Sequence, residues 1–274
     1  MRKTLGAGSL VFLTGALVAV ISLAAVYWFF VRTQTGQEID QLAFDGATIG
    51  HRTVAPYVFS FLDALPVVAA IIAFVLAVVV SASRRRWYLF ALAIGSAIAA
   101  NVTTQILKPL LPRPDLGVDG FAYNSLPSGH TTVAAAAVLV VFLVASPQWR
   151  GWAALAGAIF TVVAGVATLA GQWHRPSDVV AGLLVVAFWG CLAGALGQRP
   201  RVESTRIQVP RMRVLLWVAL ISTLGTVLSF LFVLTRPNGG ETTLLVAYAG
   251  GVTAITAAGF LLAALATRAF RRVR

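Results

Sequence analysis

The chain has 274 residues, 59% hydrophobic and 11% charged, with a mean hydropathy of +0.87 and a formal net charge of +12. A soluble domain carries roughly 25% charged residues, about twice this share, so composition excludes one. The basic excess does not indicate a nucleic-acid partner. Its arginines flank apolar runs, where they face anionic headgroups, and no Gly-rich phosphate loop or zinc-finger spacing accompanies them.

In chain order, apolar runs near 9–31, 54–80, 87–107, 129–145, 152–172, 177–196, 214–235 and 242–266 predict eight spans. Each is close to the ~20 residues a helix needs to cross a bilayer. Hydrocarbon offers backbone groups no partner, so such runs must be helical, and the expected fold class is an all-α polytopic membrane bundle. The first run is too long for a secretory h-region and no small-residue cleavage site follows it. It ends in Tyr27, Trp28, Phe29 and Phe30 before Arg32, which suits the interfacial end of a span. The stretch 198–213, with Pro200, Pro210 and five arginines, reads as a basic linker. It divides a six-helix core, 1–197, from a C-terminal helix pair and basic tail, 214–274. Cys191 is the only cysteine and lies within a span, so no intramolecular disulfide forms.

Alternating sides from Arg2 and Lys3 puts 15 of the 21 basic residues in one set of loops. The other set keeps Arg32, Arg52, Lys108, Arg113, Arg175 and Arg236. By the positive-inside rule the first set is cytoplasmic, with both termini, and the second is extracytoplasmic.

Two loops on the basic-poor side collect the polar chemistry. The first holds Lys108-Pro-Leu-Leu-Pro-Arg113-Pro114-Asp115, then Pro127-Ser128-Gly129-His130 where the fourth span begins. The second holds His174-Arg175-Pro176-Ser177-Asp178. Lys108 offers a compact charge and Arg113 a planar fork, both suited to phosphate oxygens. Ser128 and Gly129 open a helix whose free N–H groups and dipole favour an anion. His174 and Asp178, four apart, share a face if the turn is helical. The carboxylate then holds one imidazole nitrogen and leaves the other as a nucleophile, while His130 is placed to protonate a leaving oxygen. His51 reads as a solvated loop residue, and Asp63 as an intramembrane acid near enough to a span end to reach water.

These motifs resemble the type-2 phosphatidic acid phosphatase superfamily, which also contains the vanadium haloperoxidases. The resemblance implies a six-helix core, His174 as nucleophile through a phosphohistidine, Asp178 as its orienting partner and His130 as acid, then base. It further implies that Lys108, Arg113, Ser128 and Gly129 hold the phosphate of a membrane lipid; no metal or cofactor is expected, because Lys108 and Arg113 would repel a cation beside His130, His174 and Asp178. Polyprenyl diphosphate, phosphatidic acid and phosphatidylglycerol phosphate are the candidate substrates. Two departures stand out. The family's Arg-Pro follows its lysine by seven residues, where this chain has Asp115, and Arg113 comes only five after Lys108. The family's Ser-Arg six before the histidine is Ala167-Thr168 here. Arg175 is the candidate replacement, although a helical neighbour of His174 points about 100° away from it. A lipid-phosphate binding or transport protein on an inactive phosphatase fold is the alternative that the missing arginine keeps open. Oligomeric state is not legible.

Overall fold

A computed structural model describes residues 7–49, 51–120, 124–197, 209–236 and 240–272. All of its regular structure is helical: α1 (Ala7–Arg32), α2 (Gln34–Gly46), α3 (His51–Arg84), α4 (Trp87–Leu110), α5 (Gly129–Val144), α6 (Pro147–Ala170), α7 (Pro176–Leu196), α8 (Val209–Thr235) and α9 (Gly240–Ala269). A 3-10 turn, Phe270–Arg272, closes the described chain. The eight expected spans are present as α1 and α3–α9. Seven are long and apolar enough to cross a membrane, and α5, at 16 residues, is the shorter apolar helix. The chain is a multi-pass helical membrane protein. His51, expected in a loop, opens α3, and its side chain lies outside the described residues. Most of the basic linker, 198–208, lies outside them too.

Local chemistry sets the boundaries. Pro147 and Pro176 occupy the first turns of α6 and α7, where a missing N–H costs nothing. Ser128 caps α5, its hydroxyl accepting from the Thr131 N–H at 3.4 Å. The helix α2 was not expected. Thr33 caps it by accepting from the Gly36 N–H at 3.1 Å, and its buried face is Gly36, Gln37, Asp40, Gln41, Ala43, Phe44 and Gly46. That is the three-four spacing of an amphipathic helix, yet Gln37, Asp40 and Gln41 on the buried face are polar.

In packing, α5 is enclosed by α3, α4, α6 and α7, while α1 and α4 lie on α7. The linker does not isolate the C-terminal helices. α9 packs on α2, α6 and α7, burying Ile255 with Phe44, Leu169 and Val179, and α8 lies against α9. A Cβ on Gly251 would come within 2.6 Å of Pro176 Cγ, so α9 presses directly against the first turn of α7. One end of the bundle gathers the C-termini of α1, α4 and α6, the N-termini of α5 and α7, and α2 lying across them.

Candidate active site

The third motif is built as a helix start. His174 and Arg175 precede α7, with Arg175 as its N-cap residue and Asp178 as its third helical residue. The expected His174–Asp178 pair forms, Nδ1 to Oδ2 at 3.2 Å. The expected helical turn between them does not: Asp178 reaches back over the helix start as a capping carboxylate, accepting from the Arg175 N–H at 3.1 Å. The same Oδ2 accepts from the Ser125 hydroxyl at 2.6 Å, and the Asp178 carbonyl accepts from the Ser128 N–H at 2.8 Å. Asp178 thus ties the second motif to the third. Ser125 carries no motif signature, and the sequence reading missed it.

His174 is held largely buried, with 11% of its side-chain surface exposed. Its backbone is held from the other side: the Thr168 carbonyl accepts from the N–H groups of Trp173 and His174 at 2.9 and 3.2 Å. Thr168 is fully buried and its hydroxyl donates to the Gly165 carbonyl. The position lacking the family's arginine therefore serves as a backbone anchor.

His130 sits one residue inside α5, half-buried, its ring 4.9 Å from that of Trp173. Trp173 stacks in turn on Phe59 of α3. Lys108, in the last turn of α4, brings Nζ within 3.8 Å of where a Cβ on Gly129 would sit, so its ammonium adjoins the opening of α5. Arg113 is half-buried in the following loop. Its burial, and then the charge of Arg175, lower its pKa. Ser128 is fully buried and also accepts from the Thr131 hydroxyl at 3.1 Å.

Arg175 is 1% exposed and directed toward α2: its Nε donates to Gln41 Oε1 at 2.9 Å, and its guanidinium lies 5.8 Å from the Phe44 ring centre. α2 also carries Asp40, which accepts from the N–H and the hydroxyl of Ser177. Burial, reinforced by the neighbouring Asp178 carboxylate, raises the Asp40 pKa to about 7, against the opposing pull of Ser177 and Arg175. Gln37 donates to the Pro114 carbonyl at 3.0 Å and to the Val31 carbonyl at 2.8 Å. Gly120, at φ +115°, leaves a Cβ-sized space that Gln41 fills, so a side chain there would collide with it. Through these contacts α2 brackets the first-motif loop and the third motif together. Its signal in the sequence is the Thr33 cap followed by Gln37, Asp40, Gln41 and Phe44 on one face. Among the described residues no three of His, Cys, Asp and Glu converge as metal ligands.

No curated protein and no solved structure matches the chain. Residues 86–201 do match a family model, that of the PAP2 superfamily. The matched stretch runs from the start of α4 past the end of α7 and contains Lys108, Arg113, the Pro-Ser-Gly-His turn and the His174–Asp178 pair. By this match residues 86–201, within a multi-pass membrane protein, are similar to the PAP2 superfamily, a family of phosphatases acting on phosphate esters.

Proposed function

We propose that the chain hydrolyses a phosphomonoester or diphosphate on a membrane lipid, without a metal, at the extracytoplasmic face. The carrying observation is the single oxygen of Asp178 shared by His174 Nδ1, the Ser125 hydroxyl and the Arg175 N–H. A carboxylate so fixed holds the His174 ring in one orientation and stabilises positive charge on it, which leaves Nε2 as the attacking atom.

In the first step His174 Nε2 forms a bond to phosphorus as the bond to the leaving oxygen breaks. His130, as imidazolium, gives its proton to that oxygen. In the second step neutral His130 takes a proton from water, the water oxygen bonds to phosphorus, and the phosphorus–nitrogen bond breaks. Orthophosphate leaves, or the shortened phosphate ester if a different bond is cut. Lys108, Arg113 and the free N–H groups at the start of α5 balance the charge on the equatorial oxygens, a role that needs no added cation. Arg175, near Arg113 and anchored by Gln41, contributes the positive potential that position 168 does not. The 15-to-6 division of basic residues supports an outer-facing site and cytoplasmic termini. Arginine outnumbers lysine 19 to 2, a bias of GC-rich bacterial genomes that favours polyprenyl carriers among the candidates.

A phosphate-release assay over a panel of lipid phosphates tests this reading. Wild type should release phosphate in EDTA and be inhibited by vanadate, a five-coordinate mimic, while His174→Ala should be inert. Equal release by His174→Ala, or activity lost in chelator and restored by magnesium or zinc, contradicts it. Cysteines placed at Gly117 and at Ser204 report the side: an impermeant maleimide added to intact cells should label the first only.

A further inference from the structure

The half of the bundle away from the catalytic end holds a cavity of about 1320 Å³. Ligand pockets usually enclose roughly 300–1,000 Å³, and packed interiors leave few voids larger than a water. Its walls come from α1, α5, α6, α7 and α9, and many are small residues such as Gly15, Ala135, Gly157, Ala187 and Ala258. They present carbon: even Thr161 turns its hydroxyl back onto the Gly157 and Ala158 carbonyls. Along α1 the lining runs from Gly8 to Ser22, which at 1.5 Å per residue is about 21 Å, more than half of a ~30 Å hydrocarbon core. Val11 and Val18 of α1 and Leu261 and Leu265 of α9 line it while remaining exposed, so the cavity meets the bilayer between those two helices.

The far end of the cavity is charged. Arg268 and Arg271 line it, and the lining includes no acidic residue. The buried Nε of Arg271 has no hydrogen-bond acceptor among the described residues. The end is also shaped: Phe270 meets Phe12 and Phe142 edge-on at 4.7 and 5.3 Å, and its carbonyl accepts from Arg150 at 3.3 Å.

Between α5 and α7 the catalytic end is closed off from this space. α5 and α7 meet nearly backbone to backbone at Gly182, where a Cβ would lie 3.0 Å from the Ser128 carbonyl oxygen and 3.1 Å from Thr132 Oγ1. Thr131, Thr132, Ala134 and Ala181 beside that contact are fully buried. A substrate whose phosphate lies at His174 does not pass its tail through this contact.

We infer that the cavity is a second lipid site, separate from the catalytic one, that takes the chains of an anionic glycerophospholipid from the opposite leaflet and holds its phosphate on Arg268 and Arg271. The lipid fills the groove between α1 and α9 and so braces both against α7. The inference is independent of the catalytic assignment, since it uses none of its residues.

Native mass spectrometry of the full-length protein in detergent, titrated with dioleoyl phosphatidylglycerol or dioleoyl phosphatidylcholine, tests it. Wild type should retain one phosphatidylglycerol in preference to phosphatidylcholine by roughly 5- to 30-fold, the range for one or two interfacial arginines. Arg268→Gln/Arg271→Gln should erase the preference, and Ala187→Phe or Ala266→Phe, each filling the cavity, should weaken both lipids. Two filling positions on different helices guard against one variant failing to fold, and the arginine pair needs neither. Equal retention of both lipids by wild type overturns the inference, as does a preference that survives the arginine change. Retention of phosphatidylglycerol unchanged in a folded filling variant places the lipid elsewhere and overturns it too. If a filling variant raises KM for a lipid phosphate but not for a short soluble ester, the cavity holds the substrate tail and the inference fails.

Discussion

The two ends of this bundle are packed by different means. At the end that carries the motifs buried polar groups are joined by directed bonds: Asp178 to Ser125, His174 and Arg175, Asp40 to Ser177, Gln41 to Arg175, and Gln37 to Pro114. At the other end α1, α5, α6, α7 and α9 surround a 1320 Å³ apolar space with small side chains. Directed bonds fix atoms to tenths of an ångström, as in-line attack on phosphorus requires. Apolar walls fix only a volume, which suits a chain of variable conformation. The contrast predicts that substitutions of equal size should disturb the two ends very differently.

The largest effect belongs to the pair at the centre of the polar end. Asp178→Asn should lower kcat on the order of 10³- to 10⁴-fold with folding intact, because the His174 ring loses both orientation and charge stabilisation. His130→Ala should cost on the order of 10²- to 10⁴-fold with an alkyl leaving group and much less with a nitrophenolate, which needs no proton. A loss independent of the leaving group would remove His130 from the acid role.

Next come the contacts that the polar end draws from α2. Arg175→Ala and Gln41→Leu should both raise KM for the phosphate ester, Arg175→Ala by about tenfold, near the ~1.5–3 kcal/mol of a charge-assisted hydrogen bond. Wild-type kinetics in Arg175→Ala would end the idea that it stands in for the arginine absent at Thr168. Thr168→Arg is not a repair, because the Thr168 side chain is fully buried and its carbonyl anchors His174.

A subtler effect follows from Asp40. Its pKa of about 7 in the folded protein lies above the ordinary carboxylate value of 3.8, so folding favours the protonated carboxyl. The resulting stabilisation is complete below about pH 4 and is lost as pH rises through about 7. Amide exchange across 34–46 should therefore quicken between pH 5 and pH 8 beyond its intrinsic base dependence. Asp40→Asn keeps an acceptor for the Ser177 N–H and removes the titration, so its exchange should show only the intrinsic trend. The same excess in Asp40→Asn would assign the effect to another group. The smallest effect should come from the apolar end: Ala187→Phe should leave kcat for a soluble phosphate ester within about twofold, since the added ring enters the cavity far from His174 and His130.

The same division explains what was legible in the sequence. The seven long apolar helices and the shorter α5 could be read because hydropathy reports burial in lipid directly. That the motif residues would gather at one end of the bundle could be read because their loops alternate to the same end of the helices. α2 escaped because Gln37, Asp40 and Gln41 are polar residues on a buried face, so neither an apolar run nor an apolar stripe marks it. Ser125 escaped because its role arises only when α7 brings Asp178 beside it, 53 residues on. The helix-turn argument for His174 and Asp178 gave the right contact by the wrong geometry: four residues span a capping carboxylate as well as a turn. The same error set Arg175 100° away, when as the N-cap residue it is free to reach α2. The cavity had no sequence signal, since glycine and alanine read as close packing whether or not the helices meet.

The most direct test of the central claim is to trap the phosphoenzyme. His130→Ala should accept phosphate from p-nitrophenyl phosphate, whose leaving group needs no acid, and then release it slowly because no base activates water. Quenched in alkali and digested, the protein should carry an acid-labile phosphate on the peptide containing His174, absent when His174→Ala is added. Phosphate on any other residue, or label persisting in the double variant, would contradict a mechanism built on the His174–Asp178 pair.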